Sequence, residues 1–451
     1  MSIYLLAFDC YAEPCYNFVI MINNPAKIHY YTRDLFSKIE TFLKTKEIIA
    51  IVGSRQVGKT TLLQKIYNEL SKKQKCLFLT FENRSELELF ERDVESFKDL
   101  YCTRYQVIFI DEFQYAKDAG QKLKYLFDTT DVKFFISGSA SLQIKEAGKY
   151  LVGRIFTFRL HPFSFSEYLR AIDEPIYRLT RKYFNQVQEI FSGNNPKVES
   201  LIKSETIKNK LAAYFEQYLI FGGYPRVVSA KNTEEKKQVL ESIVDNYLLR
   251  DIQSLLKLAT ENELMTLARS LSLQSGNLVS FTELSNPTHL SYKEVKKHIR
   301  ILEETFILNL VYPYFRNKRT ELVKNPKVFF GDNGFHNKLI DNFMPLAARA
   351  DSGALAENFI FNSLSSSSAF LEINFWRTKS QAEVDFILSR ENQIIPLEAK
   401  FAPMGKKIIG KSLFSFINKY KCKTAIVTTN GDFGIRKTGA AAVYFIPAFF
   451  I

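Results

Sequence analysis

The chain has 451 residues, 46% hydrophobic and 24% charged, with a formal net charge of +13 at neutral pH. That length is more than one hydrophobic core organises, so several folding units are expected. The composition excludes collagen-like and low-complexity chains, and the positive balance points to DNA or another polyanion as a partner.

No apolar run reaches the ~18–20 residues that span a bilayer, so no membrane partner is expected. The N-terminus lacks a basic segment followed by a small-residue cleavage site. Cys10, Cys15, Cys76, Cys102 and Cys422 are odd in number and form no Cys-x-x-Cys pair. Reduced thiols in a cytoplasmic protein fit this pattern better than a disulfide framework or a zinc site. Residues 1–24 read as an N-terminal extension. Asp9, Glu13 and Pro14 interrupt its apolar stretch, and Met21 is an alternative start.

Ile48 to Val52 is an apolar, β-branched run that reads as a buried strand. It leads into Gly53-Ser54-Arg55-Gln56-Val57-Gly58-Lys59-Thr60, the G-x-x-x-x-G-K-T pattern of a phosphate-binding P-loop. Thr61 opens a helix with Leu62, Leu63, Ile66 and Leu70 at helical spacing. Glycines let the loop bend tightly, and the helix N-terminus favours an anion. Lys59 is the expected partner of the β- and γ-phosphates, and the Thr60 hydroxyl a ligand of Mg²⁺.

A second buried strand, Gln106 to Ile110, ends in Asp111-Glu112. An aspartate at the carboxyl end of such a strand can hold the Mg²⁺ shell, and Glu112 can polarise the attacking water. Lys133 to Ile136 runs into Ser137-Gly138-Ser139, where either serine is placed to sense a γ-phosphate. With Cys76–Phe81 and Phe156–Leu160, these strands alternate with helices and predict a doubly wound parallel sheet.

Residues 176–260 carry helical patterns around the turn Gly222-Gly223-Tyr224-Pro225 and read as a helical lid. Phe281 begins a short helix, and Ser291 with Glu294 makes a capping box for a second, whose apolar stripe is Val295, Ile299 and Leu302. Strands Phe306–Tyr314 and Lys327–Phe330 follow, joined by a basic tip, and Arg316, Lys318, Arg319, Lys324 and Lys327 form one basic cluster there. With Lys293, Lys296, Lys297 and Arg300 on the second helix, this is the pattern of a winged helix, a DNA-contacting or protein-contacting module. A further basic group, Lys406, Lys407, Lys411, Lys419, Lys421, Lys423, Arg436 and Lys437, is opposed in residues 401–451 by Asp432 alone.

Strands Glu383–Leu388 and Ile394–Lys400, turning at Glu391-Asn392, predict a hairpin with Asp385 opposite Glu398 and Glu383 opposite Lys400. Facing carboxylates repel, and a divalent cation between them removes that cost and creates a site for phosphodiester hydrolysis. Glu357 on the preceding helix is the expected third carboxylate, with Lys400 beside the site. A charged hairpin face with a Glu383–Lys400 ion pair is the other reading of the same residues.

The P-loop, Phe109-Ile110-Asp111-Glu112-Phe113-Gln114, Ser137-Gly138-Ser139-Ala140-Ser141, Gly153-Arg154 and Pro162-Phe163-Ser164-Phe165-Ser166-Glu167-Tyr168 together resemble a family of prokaryotic AAA-type ATPases. That family carries a C-terminal domain of unknown function similar to the PD-(D/E)XK nuclease fold. The resemblance covers most of residues 25–405. It implies that Pro225 lies near an adenine, by similarity to signal-transduction ATPases. It implies that Arg154 is either a finger on the γ-phosphate or a structural ion-pair partner. It also implies that Asp385, Glu398 and Lys400 are a nuclease-like motif.

The expected fold is α/β. Its parts are an AAA-type P-loop NTPase parallel-sheet core (25–175), a helical lid (176–260), a winged-helix-like domain (261–344) and a nuclease-like domain (345–451). The expected cofactors are ATP and Mg²⁺, with ATP preferred to GTP because no Asn-Lys-x-Asp signature follows the core. Lys59, Asp111, Glu112 and Arg154 are the expected catalytic groups. The nucleotide is expected to contact Gly53 to Thr61, Ser137 and Pro225. The expected function is an ATPase coupled to a DNA-directed nuclease-like domain. The alternatives are an ATP switch with a catalytically silent C-terminal domain and a winged-helix regulator, and a homo-oligomer is compatible with any of these.

Overall fold

The computed structural model describes residues 30–139, 149–194, 204–246, 261–315, 325–367, 370, 372–390, 393–400, 409–431 and 433–451. The N-terminal extension, the basic tip at Arg316–Lys324, the turn at Glu391-Asn392, and Lys406, Lys407 and Asp432 lie outside the described residues.

Five strands form the first sheet: β1 (Ile48–Val52), β2 (Cys76–Thr80), β3 (Val107–Asp111), β4 (Lys133–Gly138) and β5 (Ile155–Arg159). Their order is β2-β3-β4-β1-β5, and every pairing is parallel. The central strands β1, β3 and β4 are buried along their whole length, which is why they read as unbroken apolar runs. Alternation assigns side chains to two faces. Ile49, Ile51, Phe109 and Phe135 pack with Leu62, Leu63 and Ile66 of helix α2 (Lys59–Leu70), while helix α1 (Asp34–Glu40) adds Ile39 to that face. Ile48, Ala50, Ile108, Ile110 and Phe134 pack on the other face with Phe90 of α3 (Arg84–Arg92), Phe97 of α4 (Val94–Phe97), and Leu123 and Leu126 of α5 (Ala119–Thr129).

The parallel order places the carboxyl ends of β1, β3 and β4 side by side. The segments after them, starting with Gly53, Glu112 and Ser139, therefore meet at one edge. Gly53 is obligatory there. A Cβ on it would stand 2.2 Å from the Leu160 carbonyl oxygen, and its φ is +158°.

Among the described residues, five helices follow: α6 (Phe165–Ile172), α7 (Glu174–Phe191), α8 (Glu205–Phe221), α9 (Pro225–Val228) and α10 (Thr233–Val244). Next come α11 (Glu261–Ser272), α12 (Phe281–Thr288), α13 (Tyr292–Glu304) and an antiparallel pair, β6 (Leu308–Val311) and β7 (Lys327–Phe330). The Ser291–Glu294 capping box of α13 forms as expected, and Val295, Ile299 and Leu302 are buried. Strand β6 is shorter than the expected Phe306–Tyr314 run. Tyr314 leaves the pair and donates its backbone N–H to Phe375 O instead.

Beyond helices α14 (Asn333–Leu339) and α15 (Ser352–Ser366), the last sheet has the order β12-β13-β11-β10-β9-β8. Its strands are β8 (Glu372–Arg377), β9 (Glu383–Arg390), β10 (Gln393–Glu398), β11 (Thr424–Thr429), β12 (Gly434–Thr438) and β13 (Ala441–Pro447). Strands β8, β9 and β10 form an antiparallel meander, and β10, β11 and β13 run parallel. Leu413, Phe416 and Ile417 of α16 (Lys411–Tyr420) pack on one face against Trp376, Val384 and Val427. Phe361 of α15 and Phe329 of β7 meet Phe386 on another side of β9.

Candidate functional site

The P-loop closes on its own lysine. Lys59 Nζ donates to the carbonyls of Gly53 (3.1 Å) and Ser54 (3.0 Å) and is buried. Two hydroxyls converge on Asp111: Thr60 Oγ1 donates to Oδ2 at 2.6 Å, and Ser137 Oγ donates to Oδ1. These residues come from α2, β3 and β4, and only the strand order brings them together. Glu112 takes a left-handed backbone (φ 56°), rare for a residue with a side chain and often found at functional sites. Its carboxylate accepts from Gln114 Nε2, and Gln114 Oε1 accepts from the Ser139 backbone N–H at 3.3 Å.

A cleft of about 530 Å³ opens beside these groups. Arg55, Gln56, Gly58, Lys59, Thr60, Thr61 and Glu112 line it from the core, and Pro225, Arg226, Ile243 and Asn246 from the helices. The donors are a lysine, hydroxyls and carboxylates, with no thiol or imidazole among the lining residues. That set suits a phosphate chain with a hard cation such as Mg²⁺.

Gly222 and Gly223 carry the helical wall. A Cβ on Gly222 would stand 2.1 Å from Asp332 Oδ1, and Gly222 has φ +74°, so only glycine fits. Asp332 accepts from the backbone N–H groups of Gly223 (2.7 Å) and Phe335 (3.0 Å). Burial pushes its carboxyl up to about 6. Tyr224 in turn places its hydroxyl 3.4 Å from Ser54 Oγ of the P-loop.

The C-terminal carboxylates are arranged around a different cation from the one expected. Lys327, at the start of β7, is 3% exposed. Its Nζ lies 2.9 Å from Glu357 Oε1 and 2.6 Å from Glu383 Oε1. Glu383 also pairs with Arg377 at 3.3 Å. Asp385 Oδ2 accepts from the Ala399 N–H at 2.7 Å. Burial, then the neighbouring Glu357, pushes the Asp385 carboxyl up to about 7, and burial also raises Glu357. Glu398 instead faces Lys400 (3.2 Å) and the backbone at Gly410.

A family model described as an AAA domain matches residues 45–169. The match supports an AAA-type P-loop ATPase. Two domains of unknown function match further along, DUF8612 over residues 212–345 and DUF4143 over residues 352–449. An uncharacterized protein of Haemophilus influenzae is 24% identical over 382 residues, covering 80% of this chain and 84% of its own length. One of Methanocaldococcus jannaschii is 23% identical over 294 residues, covering 62% of this chain, and the match spans only 60% of that relative's length. A crystal structure described as a DNA replication initiation factor aligns at a TM-score of 0.25 and 16% identity, covering 60% of this chain and 86% of that one. No helix among the described residues is long and apolar enough to cross a membrane.

Within the ATPase core, the structure brings together Lys59, Thr60, Asp111, Glu112, Ser137 and Pro225. Gly53, Ser54 and Val57 are buried beneath the cleft and shape the loop from below. Arg154 does not join them. The parallel register sets Ile48 against Ile155 and Val52 against Arg159, so Arg154 stands at the opposite edge of the sheet, a strand length of about 16 Å from the P-loop. It is bound to Asp128 at 2.8 Å, the contact expected of an ion-pair partner.

Besides Arg55, the cleft holds Arg226, which was missed although it directly follows Pro225 in the turn already singled out. Gln114 was also missed as a partner of Glu112, and the left-handed turn that joins them has no sequence signature.

The expected metal cage of Glu357, Asp385 and Glu398 is not assembled. Among the described residues, no group of three His, Cys, Asp or Glu side chains is arranged to hold a metal ion. The hairpin register is as expected up to Leu397 opposite Phe386. Beyond it, Glu398 turns toward Lys400 while Asp385 faces Glu357 and Lys327. The expected Glu383–Lys400 pair is likewise replaced, because Lys327 enters from another sheet. The sequence groups Lys327 only with the basic cluster of Arg316, Lys318, Arg319 and Lys324. Its distance in sequence from Glu357 and Glu383 hid the pairing.

Proposed function

We propose that the chain is an ATP-driven switch. The nucleotide sits in the cleft between the P-loop and the Gly222–Arg226 turn and is hydrolysed there. The observation that carries this reading is the convergence of Thr60 and Ser137 on Asp111 beside Glu112, in a cleft of nucleotide size. Lys59 exchanges its two loop carbonyls for phosphate oxygens, which are stronger, charged acceptors. Thr60 and Asp111 are the residues to hold Mg²⁺, which when bound neutralises charge on the transferred phosphoryl group. Glu112, oriented by Gln114, positions and polarises the attacking water. Ser137 reports phosphate occupancy to β4, and Pro225 and Arg226 close the cleft from the helical side. An ATP hydrolysis assay on the full chain with Lys59→Ala and Glu112→Gln tests this. Wild-type turnover in both variants would reject it.

Residues 261–330 have the helix-helix-helix-strand-strand order of a winged-helix module, with Lys293, Lys297 and Arg300 exposed on α13. In this reading that face meets DNA. The domain after residue 345 is nuclease-like in the sequence order of its motif. The ammonium of Lys327 among its carboxylates supports the silent, binding-only alternative over an active nuclease. A Mn²⁺-dependent plasmid cleavage assay decides between them. Cleavage that disappears in Asp385→Asn would restore the nuclease.

A further inference from the structure

A second cleft, of about 630 Å³, is walled by the start of α1, the β5–α6 loop, α7, the end of α15 and the end of β9. It is comparable in size with the nucleotide cleft and falls in the range of small-molecule sites. Tyr177, Arg181, Asn185 and Gln188 line it from α7 at the spacing of one helix face, and Ser192 follows at the helix end. That wall is the polar, exposed side of an amphipathic helix whose other side buries Ile176, Tyr183, Val187 and Ile190.

The charges in the cleft are unbalanced. Its two carboxylate side chains are already committed, Glu167 to Arg33 at 3.1 Å and Asp34 to Arg170 at 2.5 Å, and Ile451, which carries the terminal carboxylate, also lines the cleft. Arg181 from α7 and Arg390 from β9 enter from different walls, and among the described residues neither guanidinium makes an ion pair or hydrogen bond. Lys38 and Arg159 add to the same positive field. The ring of His161 stays neutral, through burial first and then through Arg159, Arg33 and Lys38. Ser363, Ser366 and Ser367 bring hydroxyls from the end of α15.

We propose that this cleft is a second ligand site, for a phosphate-bearing small molecule. Guanidinium forks match phosphoryl oxygens in pairs, and serine hydroxyls donate to the same oxygens. Asn185 and Gln188, each both donor and acceptor, face the rest of the ligand. The two arginines, without a side-chain partner among the described residues, share one cleft of single-ligand size. A groove for a nucleic-acid strand would instead need a charged track along its length.

The site is wired to the first one. Arg33, which lines it, is 6% exposed and donates to Val57 O of the P-loop at 2.7 Å and to His161 O at 2.6 Å. A phosphate that draws on Arg33 competes with Glu167 for it and therefore bears on the loop that holds the nucleotide.

The test uses the full chain carrying Lys59→Ala, which removes tight binding at the P-loop and makes the result independent of ATP hydrolysis. Calorimetric titration with inorganic pyrophosphate should show one site. Adding Arg181→Ala and Arg390→Ala should weaken it at least about tenfold, as for lost charge-assisted hydrogen bonds. Both arginines are exposed, so the melting temperature should not change. Absence of binding to the Lys59→Ala protein overturns the proposal, as does unchanged affinity in the arginine variants. It is also overturned if a short single-stranded oligonucleotide binds through these arginines while pyrophosphate does not.

Discussion

Lys327 and Glu383 form an ion pair at 2.6 Å between two different sheets, with Glu357 completing the contact. Removing one partner of a buried pair leaves the other charge uncompensated, at a cost of about 3–5 kcal/mol. Lys327→Met should lower stability by that order, read from urea unfolding of the full chain. Adding Glu357→Gln should recover part of the loss, because one stranded carboxylate is then neutral. If Lys327→Met melts like the wild type, the lysine holds nothing together.

Hydrolysis should separate the roles in the nucleotide cleft. Lys59→Ala should abolish tight ATP binding. Glu112→Gln should retain binding and lower turnover by about 10²-fold or more. Gln114→Ala, which frees Glu112 from its partner, should lower kcat by about tenfold with little change in KM. Arg154→Ala should leave single-chain turnover within about threefold, since Arg154 stands at the far edge of the sheet bound to Asp128. A collapse of turnover in Arg154→Ala would call for a finger supplied to a neighbouring chain.

Asp332 gives the pH dependence a definite sign. Its folded-state carboxyl titrates near 6, above the usual 3.8, because burial disfavours the charge. The folded protein therefore holds this proton between about pH 4 and 6, where the unfolded chain has released it. The stabilisation is complete below about pH 4 and is lost as pH rises through 6. Asp332→Asn should flatten that part of the melting profile. It should also cost about 1–3 kcal/mol, because Gly223 N–H loses a carboxylate acceptor. A pH profile identical to wild type would remove Asp332 as the group responsible.

DNA binding, if it uses α13, should depend on salt. Each phosphate contact contributes about 0.9 to the slope of log affinity against log salt. Lys293→Glu with Lys297→Glu should reduce that slope. Lys296 is the poorer probe, because it lies over the rings of Tyr292 (4.8 Å) and Phe281 (5.7 Å) and supports packing. A salt-independent affinity would leave this helix face as solvated surface.

The nucleotide core was legible because its information is local. Ile48–Val52, the P-loop and the stripe of α2 lie within one stretch of chain, and the apolar runs of β3 and β4 mark strands buried on both faces. The capping box at Ser291 is local in the same way. Tertiary structure decided what depends on distant partners. Strand order brought Ser137 and Thr60 onto Asp111, and parallel register carried Arg154 away from the cleft. The packing of β7 against α15 and β9 turned Lys327 from an apparent surface charge into the counter-ion of Glu357 and Glu383. Periodicity and spacing report which face a side chain occupies. They do not report which charge from another element will be desolvated against it, and that pairing set the character of the C-terminal site.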